Sequence, residues 1–247
     1  MERFSRTELL LGKEKMKRLS RGFVTVIGLG AVGSYAVEAL VRAGLGRLRL
    51  VDFDTMRSTN VNRHIWAYTS TIGKPKAYVA RLRAHDINPS CKIEELELFA
   101  AADTFDRIFD AEPDIVIDAV DSVTPKIQLL AECYRRKIPV ISSMGATTRT
   151  DPALIKTADL FDTHGCPLAS SIRRLLRKAG VGRGITCVYS SERTHPGRRG
   201  VFLDEDGAYR RGRPRRTLGS LSTVTGIFGL IAAHTAVQRL AGGFHPE

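Results

Sequence analysis

The 247-residue sequence predicts an α/β fold, a doubly wound and mostly parallel sheet with an added C-terminal portion of strand and helix. Three observations carry that expectation. From Phe23 to Ser143, short apolar runs rich in β-branched residues alternate with stretches of helical periodicity. The first run leads directly into Gly28-Leu29-Gly30-Ala31-Val32-Gly33, a glycine-rich turn that opens a helical stretch. Asp52 closes the second run, about 20 residues beyond the glycines.

The elements follow in order. Phe4 to Leu19 spaces its apolar residues as one helix does and ends near Arg21-Gly22; Phe23 to Ile27 then reads as a buried strand. Ser34 to Ala43 is helical, closed by Gly44 and Gly46, and Arg47 to Val51 is the second strand. Lys76 to Ile87 forms a helix that stops at Asn88-Pro89. Lys92 to Leu98 is a third strand and Thr104 to Phe109 a short helix. Pro113 introduces the strand Asp114 to Val120. Pro125 to Lys137 is a helix with proline in its first turn, and Ile138 to Ser143 a further strand.

Beyond Ser143 the pattern changes. Ala153 to Ala158 and Gly184 to Ser190 read as strands, with a basic helix, Pro167 to Lys178, between them. Arg193 to Arg216 is rich in glycine and arginine and reads as a mobile loop. Leu221 to Val237 is the longest weakly polar stretch, but Ser222, Thr223, Thr225, His234 and Thr235 interrupt it. A buried or interfacial helix is expected there rather than a membrane span.

Composition narrows the function classes. Lys and Arg total 38 against 26 Asp and Glu, a formal net charge of +12, which suits a polyanionic partner. The 4 cysteines, Cys91, Cys133, Cys166 and Cys187, form no CxxC pair, so a zinc ribbon and a dithiol redox motif are excluded. Charges interrupt the N-terminal apolar positions, so a signal peptide is not expected and the chain reads as cytoplasmic.

Chemistry concentrates around the glycines. A GxGxxG turn between a strand and a helix presents backbone N–H groups and a helix N-terminus to a phosphate, as in Rossmann-like domains, without distinguishing NAD, FAD, ATP or S-adenosylmethionine. Asp52 is placed to accept from ribose hydroxyls, and Asp54 stands close by. The segment from Asp54 to Arg63, followed by Gly73-Lys74-Pro75-Lys76, has no purpose in hydride transfer. ATP cleaved between its α and β phosphates does need its charge neutralised, and Asn60, Arg63 and Lys76 are donors suited to that. Asp121, after the strand IVIDAV, is placed to hold Mg²⁺.

These segments, as a set, resemble a known family. RFSRTELLLG (Arg3 to Gly12), GLGAVGS (Gly28 to Ser34), VDFDTMRSTNVNR (Val51 to Arg63), GKPK (Gly73 to Lys76) and DAVDS (Asp118 to Ser122) are similar to the ThiF/MoeB/HesA-type, ubiquitin-activating-enzyme-like adenylating enzymes. The resemblance implies ATP and Mg²⁺, attack of a carboxylate on the α-phosphate, and an acyl-adenylate. It implies a nucleotide on Gly28, Gly30, Gly33, Asp52 and Asp54, phosphates on Asn60, Arg63 and Lys76, and the metal on Asp121. Arg6, or else Arg3, would act across a homodimer at the partner's nucleotide. One adenylating domain over residues 1–247 is expected: a helical arm 1–22, a nucleotide-binding core 23–143, and a substrate-side extension 144–247 carrying the basic loop 193–216 and the last helix.

Within that family the fuller resemblance is to tRNA-modifying dehydratases, through DAVDSVTPK (Asp118 to Lys126), RRKIPVISSMGATTRTDP (Arg135 to Pro152), PLASSIRRLLRK (Pro167 to Lys178) and TCVYSSE (Thr186 to Glu192). It implies that the carboxylate is the threonyl carboxylate of N6-threonylcarbamoyladenosine beside the anticodon, which cyclises with loss of water. The nucleophile then belongs to the substrate and no catalytic cysteine is required. A tRNA partner matches the charge surplus, with Arg173, Arg174, Arg177 and Lys178 on one helix and Arg198, Arg199, Arg210, Arg211, Arg213, Arg215 and Arg216 in the basic loop. A cysteine desulfurase or sulfur-acceptor protein is a further partner the resemblance admits. Adenylation of a ubiquitin-like sulfur carrier is the alternative, weakened by the lack of CxxC. Three departures stand out: Cys166 where Asp is expected, His64 after Arg63 where Gln is usual, and Gly219-Ser220 where some relatives carry cysteine. Cys187 reads as a buried strand thiol.

Overall fold

The computed structural model describes residues 2–194, 199–203 and 216–243. Its main sheet has seven strands: β1 (Phe23–Ile27), β2 (Arg47–Val51), β3 (Lys92–Leu96), β4 (Ile115–Asp118), β5 (Val140–Ser143), β6 (Ile155–Asp159) and β7 (Thr186–Ser190). Their order is β3-β2-β1-β4-β5-β7-β6, parallel throughout except β6, which runs antiparallel to β7. The chain builds outward from β1 to β3, then crosses back to β4 on the other side of β1. Such a switch in strand order leaves a crevice at the carboxyl ends of β1 and β4. Register places the elements of that crevice together, because Ile27 pairs with both Val51 and Asp118.

Helices cover both faces of the sheet. They are α1 (Ser5–Leu11), α2 (Lys13–Leu19), α3 (Gly33–Arg42), α4 (Lys76–Ile87), α5 (Phe105–Ile108), α6 (Val123–Arg136), α7 (Pro167–Lys178) and α8 (Ser222–Ala241). One core joins Val24, Val26, Leu48, Ile117 and Ile141 of the sheet to Val37 of α3, Ala80 of α4 and Phe228 of α8. The opposite core joins Ile27, Val51, Val116 and Val140 to Ile108 of α5, Leu129 of α6 and Ile172 of α7. All five residues of β1 are buried, as a central parallel strand covered on both faces requires. The fold is therefore the doubly wound α/β class that the sequence predicts.

The structure revises several boundaries. The N-terminal arm is two helices, because Gly12 has φ of 81° and breaks the run between α1 and α2. β4 stops at Asp118, after which Ala119 and Val120 lie against Gly28 of the glycine loop, and α6 starts at Val123, ahead of its proline. Part of the expected mobile loop is ordered: β8 (Arg199–Leu203) pairs antiparallel with β9 (Arg216–Leu218). Residues 195–198 and 204–215, which carry most of the expected basic loop, lie outside the described residues. α8 is long and apolar enough to cross a membrane, but Val224, Phe228, Ala232, Ala233 and Ala236 are fully buried against the sheet and α3, as in a core helix.

Candidate active site

Three glycines shape the loop between β1 and α3, each for its own reason. Gly28 has φ of 87°, and a Cβ there would lie 2.8 Å from the Ala119 carbonyl oxygen. A Cβ on Gly33 would lie 1.9 Å from the Gly28 carbonyl oxygen, so only glycine lets the helix start so close to the strand. At Gly30 a Cβ would meet nothing within 4 Å. The space above Gly30 is therefore an open cradle at the N-terminus of α3, where backbone N–H groups and the helix dipole favour an anion.

The Leu29 peptide is gripped from both sides. Asp52 accepts its N–H at Oδ2 (2.6 Å), and the other carboxylate oxygen accepts the Asp54 N–H at 2.8 Å. His64 Nε2 donates to the Leu29 carbonyl oxygen at 2.6 Å, while His64 Nδ1 accepts the Trp66 N–H at 3.1 Å. A nitrogen that accepts from a backbone N–H carries no proton, so the ring is neutral with its proton on Nε2. Burial, with the nearby Lys76 charge, pushes the His64 pKa down from 6.5 to about 4 and holds that state. Burial raises the Asp52 carboxyl, opposed by Lys76 and by the two N–H donors.

Beyond β2 the chain folds back on itself. Lys76 Nζ sits 2.7 Å from Asp54 Oδ2, and the Lys76 N–H donates to the Asp54 carbonyl oxygen at 2.9 Å. Burial would raise the Asp54 carboxyl, but the charge and hydrogen bond of Lys76 outweigh it and hold it below the usual range. Asn60 accepts the Arg57 N–H at 3.1 Å, and Arg63 Nη1 donates to the Thr59 carbonyl (2.6 Å) and to Asn62 Oδ1 (3.0 Å). Since His64 ties Asn60–Arg63 to the glycine loop and Asp54 ties Lys76 to the end of β2, one hydrogen-bonded unit brings together Gly28, Gly30, Gly33, Asp52, Asp54, Asn60, Arg63 and Lys76.

Asp121 is exposed just past β4, on the same edge of the sheet. Among the described residues no three metal-ligating side chains gather. A single carboxylate suits Mg²⁺, which takes its remaining ligands from phosphates and water. Beneath this loop lies a cluster absent from the expected site. Lys126 Nζ is 2.5 Å from Asp118 Oδ2, Ser142 Oγ donates to the same oxygen at 2.6 Å, and Asp118 Oδ1 accepts the Val120 N–H at 3.0 Å. Lys126, Asp118 and Ser142 have no solvent exposure. A carboxylate within the apolar strand run Asp114 to Val120, with lysine in the following helix, was the signal available in the sequence for this triad.

The remaining expectations divide. Arg3 Nη1 donates to the carbonyls of Asp86 and Ile87, both at 3.3 Å, at the end of α4. Arg6 is exposed on α1, a helix with no buried residue, and forms no hydrogen bond among the described residues. The basic residues of α7 do not form one free face. Arg173 turns inward to the Thr163 carbonyl (2.9 Å) and hydroxyl (2.7 Å), Arg177 lies over the Phe161 ring at 5.1 Å, and Arg174 and Lys178 are exposed. All four cysteines are free and buried, and burial pushes up the Cys91, Cys133 and Cys187 thiols. Cys187 is the buried strand thiol expected, on β7.

A doubly wound sheet with a glycine cradle at its switch point, flanked by amide and cationic side chains, defines a phosphate-binding nucleotide domain. The model of the ThiF family matches residues 4–246, and the chain belongs to that family. It is 45% identical over 192 residues to the tRNA threonylcarbamoyladenosine dehydratase of Bacillus subtilis (strain 168), covering 78% of this chain and 76% of that one. It is 34% identical over 256 residues to the Escherichia coli (strain K12) enzyme of the same name, covering 97% and 93%. Among solved structures, the E. coli tRNA N6-threonylcarbamoyladenosine dehydratase TcdA in complex with ATP superposes with a TM-score of 0.86 at 34% identity, covering 98% of this chain and 94% of that one.

Proposed function

We propose that this protein is an ATP-dependent tRNA threonylcarbamoyladenosine dehydratase, which adenylates the threonyl carboxylate of N6-threonylcarbamoyladenosine and drives its cyclisation. The observation that carries this reading is similarity at 34% identity over 97% of the chain to an enzyme of that name, extending past the nucleotide core into α7 and β7. The open cradle at Gly30 fits a phosphate, and the matched structure holds ATP.

In this reading Asp52 accepts from the ribose hydroxyls, and the glycine loop and α3 N-terminus bind the phosphates. A carboxylate oxygen of the substrate attacks the α-phosphorus, the bond to the bridging oxygen breaks, and pyrophosphate leaves with the electron pair. Asn60, Arg63 and Lys76 neutralise the charge that builds on that leaving group. Asp121 would hold Mg²⁺, which would supply further charge neutralisation at the phosphates. The carbamoyl nitrogen of the substrate then attacks the activated carbonyl, loses its proton and expels AMP, for a net loss of one water. With the nucleophile in the substrate, buried thiols are no obstacle.

The same reading takes a second copy of the chain as partner. Leu9 and Leu10 are 87% and 83% exposed on α1, and Arg6 beside them is free to reach another subunit's phosphates. Arg174, Arg177 and Lys178 belong to the RNA-facing surface, and a tRNA substrate sets the protein in the cytoplasm. The test is incubation with ATP, Mg²⁺ and threonylcarbamoyl-modified tRNA, read by nucleoside mass spectrometry. Loss of one water is expected. An unchanged nucleoside, with pyrophosphate exchange stimulated instead by a Gly-Gly-ended carrier protein, would select adenylation of a sulfur carrier.

A further inference from the structure

Past β5 the chain crosses the same edge of the sheet and turns Arg149 inward. That side chain is 2% exposed, yet its Nε and Nη1 have no hydrogen-bond partner among the described residues. The loop around it is held firmly. Thr148 has φ of 60°, a conformation rare for a β-branched residue, and its N–H donates to the Gly219 carbonyl at 2.8 Å. Glu192, just after β7, receives the Thr150 and Asp151 N–H groups at Oε2 (2.9 and 3.0 Å) and the Thr150 hydroxyl at Oε1 (3.1 Å). Its charge is felt at Arg149, but its oxygens point to these other donors. The adjacent segment presents a second unspent donor, since Ser220 Oγ is also buried without a partner among the described residues. The Thr148–Gly219 bond joins the two segments directly before Arg149 and Ser220.

A guanidinium cannot shed its proton to escape burial, so a buried one demands an anion. Strained backbone held by surrounding contacts is the kind of structure that presets a binding group. Order along the sheet edge indicates which anion. The ribose-binding Asp52 follows β2, the phosphate cradle follows β1, Asp121 follows β4, and Arg149 comes next, after β5. With the ribose on Asp52 and the phosphates on the cradle, as in the dehydratase reading, that is the side left for the acyl group. A carboxylate approaching an already anionic α-phosphate is repelled unless a cation accompanies it.

We propose that Arg149 and Ser220 form an oxyanion-binding site for the tRNA substrate, taking either the carboxylate that is to be adenylated or the phosphodiester beside it. The assignment of the ligand rests on the dehydratase reading; the anion site itself does not.

Two measurements on the full chain test it. In the first, without tRNA, the protein is saturated with AMP to fill the cradle and melted in chloride and in inorganic phosphate of equal ionic strength. Phosphate is expected to raise the wild-type Tm and to leave Arg149→Gln unmoved, while Arg149→Gln in chloride melts no lower than wild type because an uncompensated buried charge is gone. A lower Tm for Arg149→Gln in chloride, or an equal response of both proteins to phosphate, would overturn the site and make Arg149 a counter-charge for Glu192. In the second, Arg149→Gln is expected to lower kcat/KM for modified tRNA about tenfold or more while KM for ATP stays within about twofold, with partial recovery in Arg149→Lys. Competition by unmodified tRNA separates the two sources. Equal inhibition of wild type and variant assigns the carboxylate, and weaker inhibition of the variant assigns the phosphodiester. A positive phosphate response with no dehydration by any protein would refute the dehydratase reading and leave the anion site standing.

Discussion

His64 donates to the Leu29 carbonyl oxygen at 2.6 Å, and through that bond the segment bearing Asn60 and Arg63 is fixed to the glycine loop. The companion bond, in which His64 Nδ1 accepts the Trp66 N–H at 3.1 Å, needs a neutral ring. The folded pKa of about 4 lies below the ordinary 6.5, so the unfolded chain takes up the proton first as pH falls. The stability His64 contributes is complete above about pH 6.5 and is lost as pH falls to about 4, for a total of about 3 kcal/mol. Urea denaturation across that range should show wild type losing about 3 kcal/mol more than His64→Gln, which does not titrate. Identical pH dependence would mean the ring already accommodates its charge.

Gly30 and Gly33 should separate affinity from folding. Gly30→Ala puts a methyl into open space at a position outside the left-handed region, so stability should hold or rise by about 0.5 kcal/mol while ATP affinity falls about tenfold or more. Gly33→Ala collides with the Gly28 carbonyl and should cost about 3 kcal/mol or more. Melting curves with ATP titration read both, and a Gly30→Ala protein that binds ATP normally would remove the cradle from the nucleotide site.

Arg63 and Lys76 should differ although both are assigned to phosphates. Among the described residues Arg63 bonds only within its own turn, so Arg63→Ala should change stability by about 0.5 kcal/mol or less and abolish most turnover. Lys76 is buried against Asp54, so Lys76→Met should cost about 2 kcal/mol as well as turnover. Adding Asp54→Asn should return much of the stability and none of the activity, as followed by urea melts and pyrophosphate release.

The Asp118–Lys126 pair has no access to water. Lys126→Met strands a buried carboxylate and should cost about 3 to 5 kcal/mol, whereas Asp118→Asn with Lys126→Met should cost far less than the sum of the single changes. Additive losses in a double-mutant cycle would show that the two groups act independently.

Much of the site was legible in the sequence because its features are local. The GxGxxG turn, Asp52 at a strand end, and the spacing from Asp54 to Lys76 each lie in a short window, where steric rules and turn chemistry operate. The break at Gly12 was not legible, since the apolar periodicity runs through it and only the packed arm required the left-handed turn. The pairing of β8 with β9 was hidden by a composition that signals loop rather than strand. Arg173 counted as surface charge in the sequence, yet the structure spends it on Thr163.

By itself the sequence determined the alternation of strand and helix, the glycine turn and the family, all of which follow from periods and motifs within about 30 residues. Tertiary structure alone decided which groups meet: His64 with Leu29, Lys126 with Asp118 and Ser142, Arg3 with the end of α4, and Arg149 turned inward with no hydrogen-bond partner for its Nε and Nη1 among the described residues. Such pairings depend on strand order and register, which bring together residues distant along the chain and leave no periodic trace in it.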